Sequence, residues 1–350
     1  MKIGLSGTGR IGRLVVRSLM NHAPQHADLV AINTTGSVEV LAHLLKYDTV
    51  HGVWDADIVS DEGELTINGR KIAIVSERDP EKLPWRALGV DLAIDATGRF
   101  NNRIGASKHL TAGANRVFLT APADQADFTL VMGVNERGYD TERHRILSAA
   151  SCTTNCLAPV LHVLDQAFGI EKGWMSTVHA YTNDQNHLDN SHKDLRRARS
   201  CANSIIPTST GVRKALKNVL PHLADRINGL SIRVPVQDVS LLDLVVRLRS
   251  KAEPAEIRDV FVRAAEGELR GIVAYNELPL VSADYIGNAH SAIIDGLSLH
   301  TDENELKLLV WYDNEWGYAS RVVDAAFLIA SADADRGWAE REDAIDAARS

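Results

Sequence analysis

Two stretches of the chain carry residue types suited to covalent and acid–base chemistry. Ser151-Cys152-Thr153-Thr154-Asn155-Cys156 stands just ahead of an amphipathic run, so Cys152 falls at a helix start. There the positive end of the dipole and unpaired backbone N–H groups stabilise a thiolate and lower its pKa, as a nucleophile requires. Cys156 lies one turn further in, where an inert buried thiol is the expected fate. The surroundings of Cys201 leave its role open. His179 closes a strand-like run in Val178-His179-Ala180-Tyr181-Thr182-Asn183-Asp184, and an imidazole can move a proton near neutral pH. One histidine among 13 can equally be structural, and spacing alone does not bring it to Cys152.

A third stretch binds rather than reacts. Gly7-Thr8-Gly9-Arg10-Ile11-Gly12 lies between a strand pattern and a helix pattern. In that context Gly7 permits a tight turn, Gly9 lets a pyrophosphate approach the backbone, and Gly12 allows close helix–strand packing. The helix N-terminus then offers free N–H groups to the phosphates. An NAD site usually adds an acidic residue about 20 positions on, to hold the ribose hydroxyls. Here the second strand ends in Asn33-Thr34-Thr35-Gly36-Ser37, without a carboxylate. Its absence removes repulsion against a 2′-phosphate, so NADP is the expected cofactor, with NAD possible.

These residues need a scaffold. Apolar runs at 2–6 and 29–33 flank Ile11, Leu14, Val15 and Leu19 at helical spacing, and further short runs occur at 91–95, 117–121 and 130–132. Strand–helix alternation implies a mostly parallel sheet covered on both faces. Beyond the amphipathic run 153–168, longer β-rich runs occupy 174–180, 231–234, 239–248, 271–275 and 306–312. The expected fold is therefore α/β. A Rossmann-type dinucleotide domain over 1–151, completed by a helix at 317–332, joins an α+β catalytic domain over 152–316. The second sheet is expected to be mainly antiparallel or mixed, and 333–350 reads as a charged tail.

At 350 residues two domains are the natural prior. The net charge of −8 argues against nucleic-acid or membrane-surface partners. Three cysteines form no disulfide framework, and their spacing matches no zinc site, so no metal is expected. The chain opens into Lys2-Ile3-Gly4-Leu5 without a leader pattern, and no apolar run is long enough to span a bilayer. A cytoplasmic location is the expectation.

Six segments extend the pattern: S-C-T-T-N-C at 151–156, H-A-Y-T-N-D at 179–184, H-K-D-L-R-R-A-R at 192–199, I-I-P-T-S-T-G at 205–211, R-V-P at 233–235 and W-Y-D-N-E at 311–315. In this order they resemble glyceraldehyde-3-phosphate dehydrogenases, and the resemblance runs from Lys2 to about Ala330. It implies that Cys152 attacks an aldehyde, that His179 is its acid–base partner, and that inorganic phosphate releases an acyl phosphate. Ser151, Thr153, Thr210, Gly211 and Arg197 match the inorganic-phosphate side. Thr182 and Arg233, with Asp184 nearby, match the site for the substrate's own phosphate. Arg10, Ile11, Arg78, Thr120 and Asn314 match cofactor contacts.

The departures are specific. Ser6 and Thr8 stand where the family usually has Asn and Phe, and Thr34 stands where NAD-using members usually have Asp. NADP-using photosynthetic members are similar at Thr35 and Ser191. The arrangement also resembles the gluconeogenic bacterial branch, which runs toward the aldehyde. The family is typically homotetrameric, and 182–203 matches its intersubunit loop. Erythrose-4-phosphate dehydrogenase is the nearest alternative, disfavoured by retention of Thr182. A non-catalytic cofactor-binding scaffold is disfavoured by the intact Cys152 and His179.

Overall fold

The computed structural model describes residues 1–21 and 27–347. The chain begins with β1 (Lys2–Ser6), α1 (Arg10–Asn21), β2 (Asp28–Asn33) and α2 (Val38–Lys46), then a small ribbon of β3 (Tyr47–Asp48) and β4 (Gly52–Val53). An antiparallel meander of β5 (Ile58–Asp61), β6 (Glu64–Ile67) and β7 (Arg70–Val75) follows. After the one-turn α3 (Trp85–Leu88) come β8 (Leu92–Asp95), α4 (Arg103–Thr111), β9 (Arg116–Leu119), β10 (Phe128–Thr129) and β11 (Ile146–Ser148).

These strands form a nine-stranded sheet in the order β10-β11-β9-β8-β1-β2-β7-β6-β5. Every pairing from β10 to β7 is parallel; only the β7-β6-β5 edge is antiparallel. The central strands are sheathed on both faces, which is why Leu92-Ala93-Ile94-Asp95 is buried throughout.

The chain then enters α5 (Cys152–Phe168), β12 (Ile170–Ala180), β13 (Ile206–Thr208), α6 (Val212–Val219), β14 (Ile227–Val234) and β15 (Ser240–Leu248). It continues through α7 (Pro254–Glu266), β16 (Val273–Asn276), β17 (Ala292–Asp302), β18 (Glu305–Tyr312) and α8 (Trp316–Ala347). A seven-stranded mixed sheet results, ordered β13-β14-β12-β15-β18-β17-β16. The β12/β14 and β16/β17 pairs are parallel and the others antiparallel. One face packs on α5 and α7 through Met175, Leu242, Leu244, Val246, Leu157, Leu161 and Phe261. α8 crosses back, and Tyr318, Val322, Ala326 and Ile329 join Ile3, Leu14 and Leu19 in the first core.

Several elements differ from the sequence expectation. The strand expected at 130–132 lies earlier, at Phe128–Thr129, where it pairs with β11. Its apolar successors Leu130 and Val131 are buried beyond the strand's end, with the Leu130 N–H still donating to the Ser148 carbonyl at 2.8 Å. The helix expected over 317–332 spans Trp316–Ala347, so most of the segment read as a charged tail is helical. Residues 348–350 of that tail lie outside the described residues.

Candidate active site

The glycine-rich turn follows from sterics. Gly7 has φ +98°, a region that side chains rarely adopt, and a Cβ on Gly12 would sit 2.0 Å from the Gly7 carbonyl oxygen. A Cβ on Gly9 would meet nothing within 4 Å, so the backbone there is open to a ligand. Residues 9–11 line one wall of a cleft of about 810 Å³ that also contains Thr120, Cys152, His179, Thr182, Asp184 and Asn314. This cradle fits a dinucleotide: bare backbone at a helix start, an apolar wall at Ile11, and polar side chains at the far end.

Ala150, at φ 55°, turns the chain out of β11 into Ser151, whose hydroxyl caps α5 by accepting from the Thr154 N–H at 3.1 Å. Such a cap contributes about 1 kcal/mol. It also fixes Cys152 as the first helical residue. The β12/β14 register sets His179 directly opposite Arg233. Cys152 Sγ and His179 Nε2 then lie 3.4 Å apart.

The surroundings modify the expected electrostatics. The thiol was expected to be acidic at the helix start, yet close packing pushes it above its ordinary value. Arg233 and the N–H groups of Cys152 and Thr153 pull it back in part. Burial and then Arg233 push His179 down to about 3, so the imidazole is neutral. The resting pair is therefore a thiol beside a neutral ring. Tyr312 braces the floor, its hydroxyl 3.1 Å from Thr153 Oγ1 and 2.7 Å from Thr177 Oγ1.

A second cavity, of about 480 Å³, opens from the same pair. Ser151, Thr153, Arg197, Thr210, Gly211 and Arg233 line it, together with Ser209 and Lys214, which sequence reading missed. Two cationic guanidiniums, hydroxyls and a glycine backbone form a fitting anion site. Asp184 does not face this cavity; it pairs with Arg197, whose Nε also donates to Thr208 Oγ1 at 3.0 Å. Thr182 lines the cofactor cleft, whereas Arg233 lines the second cavity.

A third pocket gathers Gly7, Gly9, Asn33, Thr34, Thr35 and Arg78 with Glu77, Thr97 and Arg99. The last three escaped the sequence because they come from other strand ends. Asn33 is spent internally: its amide donates to Ser6 Oγ at 3.0 Å and the Glu77 carbonyl at 2.9 Å, and accepts from the Glu77 N–H. Thr8 Oγ1 lies 2.7 Å from Thr34 Oγ1. The unusual Ser6 and Thr8 thus tie down the loop after β2. Glu77 brings in a carboxylate that the loop itself lacks, and the N–H groups of Arg78 and Asp79 hold it at 2.7 and 2.9 Å. Ser191 is exposed and lines none of these three cavities.

Arg10, which lines the cleft with Glu315, clasps Asp48 and Glu315 with its guanidinium. Beyond Glu315, His51 Nε2 lies 3.3 Å from the Glu315 carboxylate and 3.6 Å from that of Asp238. Asp238 is 2% exposed and meets the Val239 N–H and the Asp313 carboxyl. Burial, then Asp313 and Glu315, push it up to about 9, so it stays protonated at neutral pH.

Comparison with known proteins agrees with this geometry. Residues 1–103 match the family model described as the NAD-binding domain of glyceraldehyde 3-phosphate dehydrogenase, and residues 151–314 match the model of its C-terminal domain. The chain is 54% identical over 325 residues to glyceraldehyde-3-phosphate dehydrogenase 2 of Bacillus subtilis, covering 93% of this chain and 95% of that protein. It is 51% identical to the glyceraldehyde-3-phosphate dehydrogenase of Geobacillus stearothermophilus, over 95% and 98% of the two chains. It is 47% identical to glyceraldehyde-3-phosphate dehydrogenase 2 of Nostoc sp., over 94% and 98%.

Proposed function

The chain belongs to the glyceraldehyde-3-phosphate dehydrogenase family, and from that premise we propose how its residues divide the oxidation and phosphorylation of glyceraldehyde 3-phosphate. The observation that carries the reading is the 3.4 Å contact between Cys152 Sγ and His179 Nε2 where two cavities meet. Sγ adds to the aldehyde carbon as its proton passes to Nε2; the Cys152 N–H stabilises the developing oxyanion, and Nε2 hands the proton on to that oxygen to give the hemithioacetal hydroxyl. A bound nicotinamide supplies the hydride acceptor. His179 takes the hydroxyl proton of the hemithioacetal as the hydride leaves, and a thioester remains on Cys152. Arg197, Thr210 and Gly211 hold inorganic phosphate for attack on that thioester. Sγ departs as thiolate and 1,3-bisphosphoglycerate is released. Arg233 and Thr182 hold the phosphate already on the substrate.

Residues 1–151 with 317–332 form the cofactor half in this reading, and 152–316 the catalytic half. The preferred cofactor is NADP, with NAD accepted. Support comes from the pocket at Thr34 and Thr35, where Arg78 and Arg99 offer cations and the Glu77 carboxylate is already held by backbone N–H groups. Asn33 shapes the cofactor site rather than donating to it, and Arg10 contributes its backbone at the helix start. Ser191 stands outside the cavities and is left out of this assignment.

A homotetramer is supported by the outer face of the seven-stranded sheet, where Trp174, Leu230, Val245 and Leu297 are exposed. Such a face in water calls for a partner. Among the described residues no helix is long and apolar enough to cross a membrane, and a cytoplasmic location is part of the same proposal.

The test is a rapid-mixing experiment without inorganic phosphate. Enzyme, aldehyde and oxidised cofactor should give a burst of about one reduced cofactor per chain, then stall until phosphate is added. A burst that persists in Cys152→Ser, or steady turnover without phosphate, would overturn the thioester reading.

A further inference from the structure

We infer that Ser240 is a positioning residue for the nicotinamide: its hydroxyl decides which end of the Asn314 side-chain amide faces the cofactor cleft. The inference rests on the reading that Asn314 meets the ring's carboxamide. Ser240 opens β15 and is 1% exposed. Its Oγ accepts from the Ala180 N–H at 3.1 Å. A backbone N–H can only donate, so the single serine proton must be used elsewhere. The acceptor is Asn314 Oδ1, at 2.7 Å.

The opposite amide orientation would put an NH₂ group against Oγ. The serine proton would then be buried without an acceptor, which is the costly outcome. The chain therefore presents Asn314 Nδ2 to the cleft as a donor. A donor there recognises the carbonyl oxygen of a carboxamide and sets the ring's rotation about its glycosidic bond.

Two further features mark this turn as specially held. Val239, immediately before Ser240, has φ 65° although it is β-branched and 3% exposed. A β-branched residue persists in that region only where its surroundings over-determine it, and such residues cluster at functional sites. One oxygen also registers the two halves of the chemistry against each other. Ala180, the residue after His179, donates to Ser240, and Ser240 donates to Asn314. The acid–base ring and the amide are thus fixed relative to one another across β12, β15 and the end of β18.

The experiment is a double-mutant cycle read as the dissociation constant of the cofactor, titrated by fluorescence quenching without aldehyde, and as KM for the cofactor, with kcat and the aldehyde KM measured alongside. Ser240→Ala should raise cofactor KM about tenfold, the size of one lost hydrogen bond. Ser240→Thr, which keeps the hydroxyl, should restore most of it. In an Asn314→Ala background, Ser240→Ala should have no further effect on cofactor KM, because the serine reaches the cofactor through that amide, whereas its bond to the Ala180 N–H bears on kcat. Should Ser240→Ala fail to accumulate as folded protein, Ser240→Cys keeps nearly the same volume with a poor donor and carries the same expectation.

A cofactor KM within twofold of the parent in Ser240→Ala overturns the inference. So does an equal penalty with and without Asn314, which would mark a merely structural role. If Asn314→Ala itself leaves cofactor KM unchanged, the contact between Asn314 and the carboxamide falls and takes the inference with it. If only Ser240→Ala is silent, the Asn314 contact stands and the Ser240 inference alone fails.

Discussion

Arg233 Nη1 lies 2.6 Å from His179 Nδ1, and that same ring nitrogen lies 2.7 Å from the Ala180 carbonyl oxygen. A guanidinium only donates, so the two contacts select opposite tautomers. With Arg233 as partner, Nδ1 is the acceptor and the ring proton sits on Nε2, facing Sγ. With the carbonyl as partner, Nδ1 carries the proton and Nε2 is free to act as base. An anion that draws Arg233 away favours the second state. It also relieves the positive charge that helps hold His179 down to about 3.

Phosphate binding should therefore act on the pair in two senses, freeing His179 Nε2 as a base and removing a charge that draws the Cys152 thiol down. In the resting protein Cys152 sits above its ordinary thiol value, so its alkylation by iodoacetamide should rise only in the alkaline range. Adding inorganic phosphate to enzyme without cofactor should move the rate–pH profile toward higher pH, because the anion takes up the Arg233 charge that draws the thiol down. A profile unmoved by phosphate would dissociate Arg233 from the state of the thiol.

Asp238 gives a stability prediction with a definite sign. Its ordinary value is 3.8 and its folded value about 9, so between these the folded chain keeps a proton that the unfolded chain releases. Its contribution is fully present below about pH 4 and is lost as the pH rises through 9. Asp313, Glu315 and His51 are the charged or titratable groups that face it. Asp238→Asn removes the ionisation and supplies two donors. Thermal unfolding should show little gain at pH 4 and roughly 1–3 kcal/mol at pH 8–9. An equal shift at both ends of the range would show that the carboxyl does not titrate as described.

The pocket at Thr34 tests cofactor choice. Thr34→Asp places a charge where a 2′-phosphate would lie and breaks the 2.7 Å contact with Thr8. The preference for NADP over NAD, compared as kcat/KM, should drop by about tenfold or more, equivalent to roughly 1.4 kcal/mol. Unchanged discrimination would remove this loop from the explanation.

The outer sheet face predicts assembly. Trp174 is 62% exposed and pairs in register with Val245, itself exposed on the same side. Trp174→Glu buries a charge in any interface formed there, a cost of several kcal/mol. Sedimentation velocity should show the parent as the proposed tetramer and the variant as smaller species. A variant that sediments like the parent would place the interface elsewhere.

Local sequence determined a good deal of this molecule. The turn at Gly7 and Gly12 is legible because backbone sterics leave glycine little substitute: one position needs φ +98° and the other has no room for a Cβ. The start of α5 is legible because Ser151 is a capping hydroxyl directly before an apolar period. The parallel-rich first sheet follows from strand and helix patterns in alternation. The strand expected at 130–132 failed because burial alone resembles strand pattern when no turn signal separates them.

The site itself was decided by tertiary structure. Cys152 and His179 stand 27 residues apart, and only the β12/β14 register brings His179 to Arg233 and the pair to the cleft. Arg10 finds Glu315 across 305 residues, and Ser240 finds Asn314 across 74. Glu77 and Arg99 reach the Thr34 pocket from strand ends that carry no motif. Capping, turns and periodicity are set within a few residues by backbone geometry. Strand register and the pairing of buried polar groups depend on how distant segments close and pack, and no local spacing records that.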